Sequence, residues 1–317
     1  MSQPTPRVDL PQVPHGATAQ RLTWRFLPRA LRAAVEQRLG GEVVADESKE
    51  SGFTTGFASV LRTADGGSVF LKAASVVAQE QVAAAYRDEI TVLRALAAHD
   101  RALPMPRPLW VLDDDAWVAI GFEVVEGRPP RRPWRAVELE RALDLAEEIA
   151  AATDPVPAGL ALRTISEAEP SLLHAWEMLP DRPHRDEALA LASSYADLPL
   201  TAFCHSDLRD DNVLLDDGSA YAVDWNHACL STPWQDTVDL LVSAYGDGLD
   251  VEEVLARRAL TRDVDPEHVD RWLAALSGFM ADAALRPAPL NSPHLRTHSR
   301  WYAEATWRWL GERRRWH

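Results

Sequence analysis

The segment Glu126-Gly127-Arg128-Pro129-Pro130 separates two different textures of sequence, and that separation most restricts the folds open to this chain. A glycine beside paired prolines breaks helix and strand alike, so regular structure is expected to stop there. Before it the pattern is rich in short strands. Residues 42–50, 57–63 and 68–73 read as strands, the last two joined by the hairpin signal Asp65-Gly66-Gly67. Residues 109–112 and 117–125 form a second pair around Asp113-Asp114-Asp115. Two helices accompany them. One, beginning at Leu27-Pro28, carries Leu27, Leu31, Val35 and Leu39 on one stripe, with Gly40-Gly41 as its stop; the other spans 76–99. After the breaker the periodicity is helical over 137–153, 185–197, 234–245, 251–260, 267–285 and 298–313. The expected architecture is α+β in two lobes. A flexible Pro-rich leader over 1–20 precedes an N-terminal lobe over 21–125, a small antiparallel sheet with a helix. A mainly helical C-terminal lobe follows over 126–317. The crevice between the lobes is the natural ligand site.

Chemistry concentrates where a small sheet interrupts the second half. The run His205-Ser206-Asp207-Leu208-Arg209-Asp210-Asp211-Asn212 follows a short apolar strand, 201–204. Strands at 213–215 and 221–223, joined by Asp216-Asp217-Gly218, then lead to Asp224-Trp225-Asn226. Asp and Asn favour polar turns for purely local reasons. Here, however, the acid groups stand at the ends of apolar strands, at spacings suited to phosphoryl transfer. One carboxylate, Asp207, can accept a hydroxyl proton. Asn212 and Asp224 offer the hard oxygen ligands that magnesium takes in small number beside phosphate and water.

Lysine is scarce, and its placement carries information. The chain has 31 arginines and only two lysines, Lys49 and Lys72. Lys49, between Glu47 and Glu50, reads as a solvated surface charge. Lys72 lies mid-strand in an apolar run, where it is either a snorkelling edge residue or a point charge for the α/β-phosphates of a nucleotide. Glu89 falls beside the stripe Tyr86, Ile90, Leu93 and Ala97 of the following helix, and a carboxylate so placed requires a cation. It fits Lys72 better than Glu80 or Asp88 does. The turn containing Gly52 and Gly56 would let backbone amides approach phosphates, although a plain hairpin loop explains it equally. Adenine would bond to backbone near Glu123 and Val125, at the end of the last strand of the first lobe.

Bulk properties exclude several classes. No apolar run approaches the roughly 20 residues of a membrane span, and the first fifteen residues hold four prolines without the apolar core of a signal peptide. Two cysteines make no disulfide framework, which points to a reducing cytoplasm. The net charge of −15 is uneven: residues 1–125 hold 15 acidic and 13 basic side chains, residues 126–317 hold 33 and 20. Such a field disfavours nucleic acid and draws cations, and it equally serves plain solubility. A zinc set of Cys204, His205, His227 and Cys229 is disfavoured, because adjacent strand residues point to opposite faces.

In this order Lys72, Glu89, the run from His205 to Asn212, and Asp224-Trp225-Asn226 resemble the aminoglycoside phosphotransferase/choline kinase family, across about residues 40–310. The resemblance implies a protein-kinase-like fold, ATP and Mg2+ as cofactors, Asp207 as catalytic base, Asn212 and Asp224 as magnesium ligands, and Lys72–Glu89 as the phosphate-holding pair. Three departures from protein kinases favour a small-molecule substrate: no full Gly-x-Gly-x-x-Gly, Asn226 in place of glycine, and no Ala-Pro-Glu after Asp224. Arg209 either holds the γ-phosphate or pairs with Asp210 or Asp211, and His205 braces the loop. The expected partner is a small hydroxylated acceptor. The acidic C-terminal lobe, with Asp210, Asp211 and Asp236 near the motif, fits a cation such as an aminoglycoside. Choline-like, homoserine, macrolide and sugar-like acceptors stay open, as does a nucleotide-binding module without turnover. The aromatic run Trp301, Tyr302, Trp307, Trp309 and Trp316 either packs a helix or lines a pocket.

Overall fold

Alternation along a central strand decides which way Lys72 points. In the computed structural model, which describes residues 5–11, 18–49 and 52–317, five antiparallel strands form a sheet in the order β1-β2-β3-β5-β4. They are β1 (Val43–Ser48), β2 (Phe57–Thr63), β3 (Ser68–Ser75), β4 (Pro108–Asp113) and β5 (Trp117–Phe122). On β3, Val69, Leu71 and Ala73 join Leu27, Leu31 and Val35 in one cluster, under helix α1 (Arg29–Leu39). Ala74 joins Ala83, Tyr86 and Ile90 of helix α2 (Glu80–Ala97) on the opposite face, where Phe70 also packs. Lys72 shares that second face by the two-residue period of a strand. It pairs in register with Ala58 and Ile120 on either side, so it is central rather than a snorkelling edge residue.

Helix starts and stops follow local chemistry. Gly40 ends α1 in the left-handed conformation, φ 78°, which only glycine adopts at little cost. The second helix begins later than the expected residue 76, because the Ser75 hydroxyl accepts the Ala78 N–H and the Gln79 side chain accepts the Ser75 N–H, forming a turn first. Its buried stripe runs through Ala83, Tyr86, Glu89, Ile90, Leu93 and Leu96, with Leu96 rather than Ala97 as the last member.

The second lobe contains α3 (Ala136–Ala152), α4 (Ile165–Ala168), α5 (Ser171–Met178), α6 (Arg185–Ser193), α7 (Gln235–Gly246), α8 (Val251–Arg257), α9 (Pro266–Leu285) and α10 (Leu295–Arg314). Two small antiparallel ladders cross it: β6 (Ala202–Cys204) with β9 (Cys229–Ser231), and β7 (Val213–Leu215) with β8 (Ala220–Ala222). The short elements α4, α5 and β9 have no sequence forecast, since a three-residue strand exists only through its distant partner. Trp301, Tyr302 and Trp309 are buried in the core, and Trp307 and Trp316 pack partly against it.

The breaker segment and part of the leader, which was expected to be flexible, are both docked. Arg128 exchanges backbone hydrogen bonds with Leu215 at 3.0 and 2.8 Å, which fastens the connection between lobes to β7. A Cβ at Gly127 would lie 3.1 Å from that of Leu214, so glycine permits the close approach. Within the leader, Arg7 donates to the carbonyls of Tyr245 and Leu249, and its N–H to that of Gly246 at 2.9 Å, a cation at the C-terminus of α7. Glu50 and Ser51 lie outside the described residues. No helix among the described residues is long and apolar enough to cross a membrane.

Candidate active site

Three charged side chains from three elements meet at one point. Lys72 Nζ on β3 donates to Glu89 Oε1 and Oε2 on α2 at 2.8 and 2.9 Å, and to Asp224 Oδ1 after β8 at 2.8 Å. Glu89 is 1% exposed, and the ammonium is what makes its burial tolerable. Glu80 and Asp88 take no part in the cluster. Burial opposes the charged form of Lys72, but Asp224 and Glu89 outweigh it and raise its pKa. Burial likewise pushes Glu89 up against the pull of Lys72. Burial also raises Asp224, yet the ammonium prevails and brings it down to about 2, so this carboxylate stays ionised. Asp224 sits at φ 71°, a left-handed conformation that aspartate tolerates better than most residues.

The loop between β6 and β7 presents Asp207. Asn212 donates through Nδ2 to the Asp207 backbone oxygen at 2.8 Å and to Oδ2 at 2.9 Å, so its amide oxygen is the acceptor left over. The guanidinium of Arg209 also lies on this carboxylate, with Nε 2.9 Å from Oδ1 and Nη2 donating to Oδ2 at 3.3 Å. Nη2 reaches Asp211 as well, and Nη1 donates to His298 Nε2 at 2.6 Å. Arg209 therefore pairs with Asp211 and not with Asp210, which is held by Arg132 and Tyr302. The Arg209 Nε–H is buried and has no aligned acceptor.

The brace beneath this loop is Asp236, which sequence reasoning placed among candidates for binding a substrate cation. Its carboxylate accepts the backbone N–H of His205 and of Ser206, both at 2.8 Å. Ser206 stands at φ 62°, so the loop is bent sharply just before Asp207, and Asp236 holds that bend. His205 is fully buried; Nε2 meets the Val223 carbonyl at 2.9 Å and Nδ1 accepts the Asp207 N–H at 3.3 Å. Burial lowers the pKa of His205. A carboxylate at the start of a helix is common at N-terminal turns, so nothing in the sequence marked Asp236 for this task.

The glycine turn lies over the same point. Gly52 adopts φ 78° and its carbonyl accepts the Thr18 hydroxyl at 2.5 Å. Gly56 backs onto Tyr86, whose hydroxyl a Cβ would overlap. Between them Phe53 rests on the His298 ring, centroids 4.6 Å apart. At the other end of the lobe the last strand stops at Phe122, three residues short of expectation, because the Glu123 side chain turns to accept the Arg107 N–H at 2.9 Å. Glu123 and Val125 thus lie in the irregular connection to the second lobe. Cys204 donates to the Thr232 carbonyl, Cys229 contacts Ser206, and His205 is committed to Val223, so each has a partner other than a shared ion.

Asp207, Asn212, Asp224 and Asn226 open onto a cavity of about 920 Å³. Its far walls come from residues 159–172 and from α7, α9 and α10. Asn226 Oδ1 is buried without a hydrogen-bond partner.

A paired ammonium, an ionised aspartate beside an asparagine, and a positioned carboxylate at a cavity mouth are the parts of a phosphoryl-transfer site. The sequence model of a family described as the phosphotransferase enzyme family, APH, matches residues 51–272, well over half of the chain. The chain belongs to this family. It is a small-molecule kinase with the family's kinase-like α+β fold. Among solved structures it is similar to a spectinomycin phosphotransferase in complex with ADP and spectinomycin, at TM-score 0.62 and 13% identity, over 87% of this chain and 93% of that one. It is also similar to a choline/ethanolamine kinase family protein from Mesorhizobium loti, at TM-score 0.58 and 17% identity, over 90% and 93%. A third is the amicoumacin kinase hAmiN in complex with AMP-PNP and Ca2+, at TM-score 0.55 and 14% identity, over 89% and 94%. The comparison with curated protein sequences returned no match.

Proposed function

We propose that this phosphotransferase moves the γ-phosphoryl group of ATP, with Mg2+, to a hydroxyl of a small organic acceptor held in the 920 Å³ cavity. The observation that carries the reading is the position of Asp207, which opens onto that cavity and is fixed by Asn212 and Arg209. The donor set suits magnesium: the free Asn212 amide oxygen, the second oxygen of an ionised Asp224, and the unpartnered Asn226 Oδ1 nearby are hard oxygens. When bound there the ion would offset charge on the phosphate oxygens.

The chain's own residues position and neutralise. Lys72 spends donors on Glu89 and Asp224 and presents its ammonium to the nucleotide phosphates. The Gly52–Gly56 turn covers those phosphates with backbone N–H groups, and backbone near Glu123 and Val125 meets the base. Asp207 orients the acceptor hydroxyl and takes its proton as the oxygen attacks in line. Arg209 holds Asp207 in place through Nε and Nη2, and its charge lies beside the point where phosphate charge would be offset. In domain terms residues 21–125 serve the nucleotide and 126–317 the acceptor, in a cytoplasmic setting.

The test is a coupled ADP-release screen over amino alcohols, sugars, macrolides and aminoglycosides, run on wild type and Asp207→Asn. General-base loss should lower kcat by about 10²–10⁴-fold while ATP binding persists. Near-normal turnover by the variant would remove Asp207 from the chemistry.

A further inference from the structure

The cavity that faces Asp207 does not have the lining of a polycation site. Leu160, Leu162, Leu172, Leu276, Phe279 and Met280 form its walls. Arg163, Arg286 and Arg296 also line it, and the first two are exposed. Among the described residues, three carboxylates other than those at the phosphoryl-transfer point line it: the exposed Asp88, the half-buried Glu169, and a third that is buried. That is Asp239 on α7, which is 6% exposed and lines the cavity beside Trp272. Trp272 Nε1 donates to Asp239 Oδ1 at 2.7 Å, and Gln235 Nε2 to Oδ2 at 3.3 Å. Both partners are neutral. An ionised carboxylate buried with only neutral donors is costly, and a cation placed beside it relieves that cost. Burial, and after it the neighbouring Asp236, push the Asp239 carboxyl well above the usual carboxylate range, and an ammonium beside it acts in the opposite sense.

Resting on the kinase reading above, we infer that Asp239 is the recognition point for a single ammonium group, and that the acceptor is a bulky, mostly apolar, hydroxylated monoamine. The apolar walls enclose its carbon skeleton. One ammonium meets Asp239, and a hydroxyl is left at Asp207. Further amines on the same molecule would gain no second buried carboxylate, only the solvated Asp88 and Glu169, and would face the cavity's arginines, so polycations bind less well despite the net charge of the lobe. The negative field of the chain as a whole is thus a poor guide to the acceptor, because a pocket reads local charge.

Binding and turnover are measured with erythromycin and propranolol (one amine each), with erythromycin N-oxide and N-acetylpropranolol as uncharged counterparts, and with kanamycin as the polycation. Calorimetry in the presence of AMP-PNP reads binding, and ADP release reads turnover. The monoamines should bind at least about tenfold more tightly than their uncharged counterparts, the size expected for one buried charged hydrogen bond. Asp239→Asn should erase that ratio while leaving the uncharged probes unchanged. Met280→Lys, at a half-buried wall position that can accept a charge, should depress the monoamines selectively. The idea fails if kanamycin binds more tightly than the monoamines, if the monoamines show no advantage, or if Asp239→Asn and Met280→Lys both leave the ratio intact. Absence of ADP release with every acceptor would instead overturn the kinase reading, and the calorimetric ratio would still decide the role of Asp239.

Discussion

Replacing Asp236 by asparagine isolates the brace under the loop that carries Asp207. In the native chain one carboxylate accepts two backbone N–H groups at 2.8 Å, from His205 and Ser206, in a site only 6% exposed. An asparagine can accept one of them. The other N–H then faces an amide NH2 and is left buried without a partner, at about 1–3 kcal/mol, and the retained bond loses its charge assistance, about 1 kcal/mol more. Burial raises the Asp236 pKa, so relief of that desolvation offsets part of the loss. The expected net destabilisation is about 2–4 kcal/mol, read from urea midpoints. Function should suffer beyond stability. Ser206 is held at φ 62°, a conformation that costs about 1–2 kcal/mol, and without the brace the loop can relax it. A displacement of Asp207 by about 1 Å would lower kcat roughly a hundredfold with ATP affinity unchanged. Ser206→Gly removes the strain, so in the Asp236→Asn background it should restore part of kcat. The reasoning is refuted if Asp236→Asn unfolds within about 0.5 kcal/mol of wild type and retains kcat within a few-fold.

Lys72→Ala should destabilise the fold by about 2–4 kcal/mol, since it leaves buried Glu89 beside half-buried Asp224 without a cation; urea unfolding checks this, and a parallel ATP titration should show weaker binding. Gly56→Ala drives a methyl into the Tyr86 hydroxyl and should cost about 1–3 kcal/mol in thermal unfolding together with a raised KM for ATP. His298, whose pKa burial and Arg209 hold well below the ordinary value, contributes stability that is lost as pH falls below the unfolded value near 6.5. Relative to His298→Gln, wild type should therefore lose stability between pH 7 and 5, approaching about 1.4 kcal/mol per pH unit, and parallel pH profiles for the two proteins would contradict this.

Much of this molecule was legible without coordinates. The breaker at 126–130, the hairpin glycines at 66–67 and the period-two and period-3.6 runs are local signals, so strands β2 and β3 and the long helices fall close to their expected bounds. The pairing of Lys72 with Glu89 was also readable. A rare lysine in a strand and a carboxylate on an apolar helix stripe each demand a partner, and each is the obvious partner of the other. Short elements were not readable. Strand β9 and helices α4 and α5 carry too few residues to show a period, and they persist through contacts made far along the chain.

Sequence by itself determined the reaction chemistry, because phosphoryl transfer needs particular atoms at particular loop spacings and those are written in consecutive residues. Tertiary structure alone decided what surrounds them. It assigned Arg209 to Asp207, Asp211 and His298, moved Asp236 from the substrate to the backbone of the loop, and tied the interlobe segment to β7. It also set one buried aspartate among apolar walls in a chain of net charge −15. The physical reason is that a side chain's electrostatic partner is chosen by distance in space. Helices α7, α9 and α10, distinct segments of the chain, converge on that cavity only once the core has packed.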